Sequence, residues 1–417
     1  MKKFFFIAAA VVAMAACSKT EVQFNETADS NKIGFEVANF SSQALTKASG
    51  AITSESIFSF STVANQFPTI GDPVVFMNDV DILPWNGTTQ VTDANFDSNN
   101  ITAWAPAEDY YWPKTGWINF YSYAGSHTPT VGNNAADKKT VTFTYNNAVI
   151  VADSNILVAD AALHYGRTNS QTQTYGVDKG ETTSSHVTKG VPTLFRHQLA
   201  KIIVDVEART QTDKKSANTV WKVQVLGTYD ADHKSTIVPI NKGSLLLTNV
   251  DASTTAETKT WVPTNESTTN ISGWVPSTAA ADKETISLSD SEVLTIDKNT
   301  TGNGNKSQIL AARSVMPQLT ANVGFTLVYK VQALHNDTVF MEEIRTVGIG
   351  TGEEKSIGNL ANTVTSWGAN QKITYHIIID PVSEKVTFDP AVEEYVAVDA
   401  DGDVDVINVN ENGLVTP

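Results

Sequence analysis

The chain has 417 residues and a formal net charge of -16 at pH 7, and 41% of its residues are hydrophobic. This length and apolar content favour two folded domains over one. Phosphate contacts require clustered Lys and Arg, and this acidic chain has no such cluster. We therefore predict no nucleic-acid partner.

The N-terminus has the pattern of an export signal. Lys2 and Lys3 precede an apolar run from Phe4 to Ala16, which is shorter than the about 20 residues of a transmembrane helix. We therefore predict a cleavable signal peptide over residues 1–16. Small residues precede Cys17, the single cysteine of the chain, and resemble a lipobox whose thiol is acylated. Lipidation at Cys17 is the prediction, and an ordinary signal peptide followed by an incidental cysteine is the alternative.

Short runs of β-branched and aromatic residues recur along the chain and are bounded by turn residues. Long amphipathic helical patterns are missing from the sequence. This pattern predicts an all-β chain built from β-sandwiches. The predicted strands lie at residues 33–37, 141–145, 155–159, 199–206, 220–226, 285–288, 325–329, 373–379 and 385–388.

Polar stretches without periodicity separate these runs. Residues 18–31 have the composition of a flexible tether. Residues 169–190 are polar and precede a strong strand, which places a domain boundary near residue 190. Residues 250–282 are rich in Thr, Ser and Ala and are predicted to form a long surface loop within the C-terminal domain.

Five segments in order, behind the lipobox, resemble the fimbrillin family, the lipoprotein pilins of Bacteroidales type V pili. Each segment alone is a weak motif, and together they span most of the chain. Phe195–Ile202 is similar to the strand that opens the second domain of that family. The segments are Tyr110–Pro113 with Ile118–Ala124, Asn155–Ala159, Phe195–Ile202, Met316–Gln318, and Trp367 with Asn370 and Ile373–Tyr375.

The resemblance implies two transthyretin-like, Greek-key β-sandwich domains in tandem. The expected divisions are a signal peptide (1–16), a lipidated tether with a removable N-terminal strand (17–47), two sandwich domains (48–190 and 191–398) and a C-terminal tail (399–417). In the family, a trypsin-like protease removes the N-terminal segment, usually after Arg. The equivalent bond here joins Lys47 to Ala48, and the alternative is that Lys47 is only a surface lysine.

The acidic C-terminal tail is the predicted donor strand. Its apolar residues alternate with polar ones, with one change of phase that a β-bulge can absorb. An unpaired strand of this kind suits β-strand addition to a neighbouring subunit. The predicted donor residues are Val404, Val406, Ile407, Val409, Leu414 and Val415.

Several residues were weighed as ligand or metal sites. Trp112, Trp117, Phe120, Tyr121 and Tyr123 are interpreted as core and domain-interface aromatics rather than as a ligand box, because such rings bury large apolar areas. His197 lies in an apolar strand and is interpreted as a packed or hydrogen-bonded histidine rather than as a metal ligand.

The acidic and glycine-rich motifs give no clear catalytic site. Glu108 and Asp109 are adjacent and so would face opposite sides of a strand. Residues 348–352 are glycine-dense but do not match a phosphate-binding loop. Residues 399–405 carry alternate Asp residues but lack the spacing of a calcium loop, which favours a solvated turn. We predict no catalytic residues, no bound metal and no cofactor.

The sequence thus predicts a structural pilus shaft subunit at the outer membrane, the cell surface or the fimbrium. It would be exported as a lipoprotein, processed near Lys47 and polymerised by donor-strand exchange in support of adhesion. Its expected partners are copies of itself, related pilins, a processing protease, the outer membrane through its lipid, and unidentified host or bacterial surface ligands. The alternatives are a non-polymerising surface lipoprotein that binds glycans or proteins, and a pilus tip or anchor subunit.

Overall fold

The structure is a computed structural model, and it describes residues 32–38, 59–85, 89–91, 103–113, 115–166, 190–210, 218–251, 261–297, 308–349 and 364–394. Within these ranges the chain forms 25 strands and three single-turn 3-10 helices, Ile271–Gly273, Ala280–Asp282 and Thr320–Asn322. No helix of the described part is long and apolar enough to cross a membrane.

The strands before residue 190 are β1 (Phe35–Ala38), β2 (Phe60–Phe67), β3 (Val74–Trp85), β4 (Ala103–Pro106), β5 (Trp117–Gly125), β6 (Thr130–Asn133), β7 (Thr140–Val149), β8 (Ile156–Ala159) and β9 (Ala162–Gly166). Those after it are β10 (Val191–His197), β11 (Ala200–Ala208), β12 (Thr219–Val225), β13 (Thr236–Val238), β14 (Lys242–Val250), β15 (Val262–Pro263), β16 (Trp274–Pro276), β17 (Ile286–Ser287), β18 (Leu294–Ile296), β19 (Gln308–Val315), β20 (Gln318–Leu319), β21 (Gly324–His335), β22 (Thr338–Ile349), β23 (Ser366–Trp367), β24 (Gln371–Asp380) and β25 (Lys385–Glu394).

The N-terminal half is built around a closed ring of strands. Their order is β2-β3-β4-β1-β10-β8-β5, and a further pairing between β5 and β2 closes the ring. β9 pairs with the other half of the β5 edge that β8 uses. The interior is filled by a cluster of buried apolar side chains that includes Phe35, Phe60 and Phe120.

A second sheet packs on the outside of this ring. Its order is β15-β14-β7-β6, and β16 also pairs with β14. Tyr121 and Tyr123 point from β5 into the layer between the two sheets, where they meet Phe143, Leu245 and Trp274. Both faces of β5 are therefore buried, which explains its almost unbroken apolar and aromatic sequence.

The C-terminal half is a sandwich of two sheets. One sheet has the order β19-β11-β24-β25, and the other has the order β17-β13-β21-β12-β18 with β22 paired to β21. The side chains of β24 alternate, so that Ile373, Tyr375, Ile377 and Ile379 are all at most 1% exposed. They fill one core together with the inward residues of β11 and β21. This period of two is the signature of a strand with one buried face.

The prediction of an all-β chain with tandem β-sandwiches is confirmed. The predicted domain boundaries stay a prediction. Strands from both sides of residue 190 pair with each other, because β1 joins β10 and β7 joins β14. The signal peptide, the tether and the tail lie outside the described residues.

Two local predictions were wrong. The segment Phe195–Ile202 is not one strand, because β10 ends at His197 in the ring and β11 begins at Ala200 in the C-terminal sandwich. The stretch 250–282 is not only a surface loop, because β15 and β16 pair with β14. Trp274 on β16 is fully buried, so the polar composition around it concealed a core residue.

The hairpin of β21 and β22 offers a matched test of core packing. Phe325 is 2% exposed and Phe340 is 62% exposed. We expect Phe325→Ala to lower the free energy of unfolding by about 3–5 kcal/mol, because it leaves a cavity in the C-terminal core. Phe340→Ala should change it by less than about 0.5 kcal/mol. Urea unfolding followed by circular dichroism measures both, and equal losses would contradict the described register.

Candidate strand-exchange site

The N-terminal strand β1 is one of the strands of the ring and lies between β4 and β10. It pairs in parallel with β10 over four residues, from Phe35 opposite Val191 to Ala38 opposite Leu194. On its other side it pairs with β4 only between Phe35 and Trp104. β1 thus closes the gap between β4 and β10, which are the two walls of this gap. We call the space that β1 fills the β1 groove.

Side chains anchor β1 more than its short pairing with β4 does. Phe35 is fully buried and meets the rings of Phe60 and Phe120 edge to face, with centroid separations of 5.6 Å in both cases. Ile33 is 2% exposed, and Val37 packs partly buried against the same cluster. These three alternate residues form the apolar face of β1 and of the residues just before it, as the sequence predicts.

The floor of the β1 groove is aromatic. The ring of Phe60 lies 5.3 Å from that of Phe195 on β10 and 5.8 Å from that of Trp104 on β4. Phe120 also meets Trp112 edge to face at 5.8 Å. Sequence reasoning missed Phe60, Trp104 and Phe195 as groove residues, because only the pairing of distant strands brings them together.

Polar contacts hold the start of β1. The Ile33 N–H donates to the Tyr110 carbonyl at 2.8 Å, and the Val191 N–H donates to the Gly34 carbonyl at 2.8 Å. The Lys32 ammonium lies 3.0 Å from an Asp109 carboxylate oxygen at a partly exposed position. Exposed ion pairs contribute about 0–1 kcal/mol, so burial of Ile33 and Phe35 is the larger effect.

The residues predicted to process and donate the strand are not among those described. Cys17, Lys47, Ala48 and the tail residues Val404, Val406, Ile407, Val409, Leu414 and Val415 all lie outside the described ranges. Residues 350–352 and 399–405 also lie outside them. β25 ends at Glu394, at the edge of its sheet, so the tail follows an edge strand.

The aromatic residues of the predicted core occupy both sides of the ring wall. Trp112 and Phe120 lie in the ring interior, whereas Tyr121 and Tyr123 lie between the ring and the outer sheet. Trp117 is partly buried and stacks on Phe67 with centroids 5.5 Å apart.

His197 is a packed histidine at the end of β10. It is 8% exposed, and its Nδ1 lies 3.2 Å from the Asn155 side-chain oxygen. Burial, with a smaller effect of the nearby Lys201 charge, lowers the pKa of His197 to about 3. The described residues contain no group of three or more His, Cys, Asp or Glu side chains that could hold a metal ion. Glu108 and Asp109 are both exposed, and Asp109 pairs with Lys32.

No protein-family model matches the sequence, and no curated protein matches it significantly. Solved structures do match over most of their length. A fimbrial protein from Bacteroides vulgatus shares 15% identity, covering 88% of this chain and 99% of its own, with a TM-score of 0.45. A protein from Bacteroides uniformis with a proposed role in cell adhesion shares 13% identity, covering 87% and 98%, with a TM-score of 0.38.

The tip fimbrial protein of Porphyromonas gingivalis, with a C-terminal truncation, shares 9% identity, covering 87% of this chain and 99% of its own, with a TM-score of 0.28. Fimbrial proteins are thus among the structures to which this chain is similar, as the sequence motifs predict. At these identities and TM-scores, the similarity alone assigns no function.

The packing in the β1 groove predicts that a single side chain of β1 contributes strongly to the free energy of unfolding. We expect Phe35→Ala to lower the free energy of unfolding by about 3–5 kcal/mol, because it empties the space between Phe60 and Phe120. Ile70→Ala, at a 92% exposed position, should change it by less than about 0.5 kcal/mol. Thermal and urea unfolding measure both, and a near-neutral Phe35→Ala would mean that β1 does not fill the ring in solution.

Burial of neutral His197 should make the free energy of unfolding depend on pH with a definite sign. Its pKa is about 3 in the folded chain and about 6.5 in the unfolded chain, so unfolding takes up a proton below pH 6.5. The stability contributed by neutral His197 is complete above pH 6.5 and is lost as the pH falls toward about 3, by at most about 1.4 kcal/mol per pH unit. The difference in unfolding free energy between wild type and His197→Gln should therefore shrink over that window. A constant difference would contradict the burial of a neutral ring.

Proposed function

We propose that this chain is a structural subunit of a surface fimbrium that polymerises by strand exchange. It is exported as a lipoprotein acylated at Cys17 and held at the outer membrane by that lipid. A protease cuts between Lys47 and Ala48, which frees the segment that carries both the lipid and β1. The C-terminal tail of a neighbouring subunit then occupies the β1 groove, and the resulting filament supports adhesion.

The single observation that carries this proposal is the position of β1. A strand from the N-terminal segment closes the ring and places Phe35 in its core. Its covalent link to the rest of the ring passes through residues 39–58, which include the predicted cleavage bond. A cut at Lys47 therefore leaves β1 attached to the ring by non-covalent contacts only.

The groove without β1 needs a new occupant for two physical reasons. The walls β4 and β10 would each present unpaired N–H and C=O groups, and such edges readily recruit another strand. The floor would also expose Phe60, Phe120 and Phe195 to water, which costs roughly 1.5–3 kcal/mol for each large apolar side chain. A donor strand with apolar residues at alternate positions offsets both costs.

The tail has the composition that the groove requires. Val404 with Val406, and Ile407 with Val409, repeat the spacing of Ile33 and Phe35 on either side of one change of phase. Burial of all six apolar donor residues would contribute on the order of 10 kcal/mol. This is an upper value, because the free tail already buries part of its surface.

Donation of the C-terminal tail of one subunit to the β1 groove of the next subunit is a head-to-tail contact. Contacts of this kind build open filaments when the rotation between subunits does not close a ring. The tail follows the edge strand β25, far along the chain from the groove. A subunit that donates its tail to a neighbour thus keeps its own groove available for the next donor.

Alternate residues of the tail provide the test of the donor assignment. We expect the double variant Ile407→Asn, Val409→Asn to abolish the ladder of high-mass species on non-boiled gels of surface material, because it removes apolar side chains from the donor face. The matched variant Asn408→Asp, Asn410→Asp changes the intervening positions and should polymerise as wild type does. Equal polymerisation of both variants would refute the tail as donor.

Processing is tested separately by mass spectrometry of protein from the native surface. We expect a mature N-terminus at Ala48, and we expect Lys47→Ala to accumulate an acylated, full-length monomer. The lipid would then anchor the variant, and its groove would stay filled by β1. Wild-type protein that remains full-length and acylated at Cys17 would instead support an anchor subunit or a non-polymerising surface lipoprotein.

A further inference from the structure

A solvent-open cavity of about 230 Å³ lies where three parts of the fold meet. Its walls come from β8 and β10 of the ring, from β14 and β15 of the outer sheet, and from the turn that precedes β24. The polar lining includes Asp160, Arg196, Glu266, Ser272 and Asn370, and Trp261 supplies an aromatic surface. We call this space the joint cavity, and it is separate from the β1 groove.

Trp261 is held in a fixed orientation. Its indole N–H donates to the Ala159 carbonyl at 2.7 Å. Its ring stacks on Phe143 with a centroid separation of 4.3 Å and an interplanar angle of 23°, and it meets Tyr121 edge to face. A platform that is already ordered loses little side-chain entropy when a ligand packs on it. A flat indole suits a ligand with an apolar face.

The polar part of the cavity wall contains a bidentate ion pair. Arg196 Nε lies 2.8 Å from one Asp160 carboxylate oxygen, and Arg196 Nη2 lies 2.9 Å from the other. This geometry fixes two planar groups side by side. Guanidinium N–H groups are donors and carboxylate oxygens are acceptors, so the wall combines the two functions that neighbouring hydroxyl groups need.

The charge of the lining excludes one class of ligand. Arg196 is balanced by Asp160, and Glu266 adds a further negative charge to a chain of net charge -16. His197 also lines the cavity, and its burial keeps it neutral at physiological pH because its pKa is about 3. The lining therefore has no excess positive charge for a phosphate or a carboxylate. A neutral ligand with several hydroxyl groups fits this balance.

Two residues of the lining have left-handed backbones. Ser272 has a φ of 51° and Asn370 has a φ of 59°. The Ser272 hydroxyl accepts the Ala369 N–H at 2.9 Å, and the Asn370 N–H donates to the Leu199 carbonyl at 3.1 Å. These hydrogen bonds fix the backbone of both residues on the wall of the cavity.

We propose that the joint cavity binds one neutral hexose unit. The C–H face of the sugar packs against Trp261, and its hydroxyl groups bind Asp160, Arg196 and Asn370. The volume suits a single pyranose ring rather than a long oligosaccharide. This site does not depend on strand exchange, since none of its lining residues belongs to β1.

The test is saturation-transfer NMR on the full chain in a detergent without a sugar headgroup. The probes are the methyl glycosides of glucose, galactose and mannose, with methyl glucuronide as the anionic comparison. We expect transfer from the protein to the ring C–H protons of at least one neutral hexoside, and weaker transfer to the glucuronide. Absence of transfer to all three neutral probes, or a preference for the glucuronide, would overturn the proposal.

Matched asparagine variants locate the binding. Asn370→Gly keeps the left-handed backbone and removes the side-chain amide, so we expect an affinity at least about tenfold lower. Asn336→Gly makes the same change at an exposed turn, where φ is 47°, and should bind as wild type does. Asp160→Asn should also weaken binding, because it removes the charge that holds Arg196. Undiminished binding in both cavity variants would place the sugar elsewhere and refute the assignment.

Discussion

The closure of the ring by β1 is the constraint on which the N-terminal half depends. Without β1, β4 and β10 have no partner on their facing edges, and the aromatic floor between them has no cover. The four-residue pairing with β10 sets the direction of β1, whereas its contact with β4 is a single residue pair. The packing of Phe35 and Ile33 in the interior therefore dominates, and any occupant must supply apolar side chains at alternate positions.

The same arrangement makes β1 separable from the rest of the fold. Phe35 pairs with Val191, which is more than 150 residues away, so loop-closure entropy opposes the pairing until the other strands are in place. Because its pairing partner is distant in sequence, β1 resembles a bound peptide more than it resembles one strand of a hairpin. In the proposed strand exchange, an incoming strand would meet a surface whose shape is already set by the aromatic floor, and preorganisation of this kind lowers the cost of binding.

Much of the fold could be predicted from the sequence because its strands have a period of two. The alternation of Ile373, Tyr375, Ile377 and Ile379 identifies both the strand and its buried face. The alternation of Ile33, Phe35 and Val37 does the same for β1.

The sequence could not show where β1 lies, because its position in the ring depends on pairing with β10, more than 150 residues away. It also could not separate β10 from β11, since Gln198 and Leu199 interrupt the pairing without a glycine or a proline. Trp274 was hidden by a polar neighbourhood, and its burial follows only from the pairing of β16 with β14.

β10 connects the two candidate sites and keeps them distinct. Its first residues, from Val191 to Leu194, pair with β1, whereas Arg196 and His197 near its end line the joint cavity. The strand is held at that end by β8, with Phe195 opposite Ala159 and His197 opposite Leu157. A donor strand that reproduces the backbone pairing of β1 would therefore leave the cavity end of β10 unchanged. Each subunit of a filament built by strand exchange would then carry one intact cavity, so a sugar affinity that is weak for one subunit would be multiplied along the filament through repeated attachment to one surface.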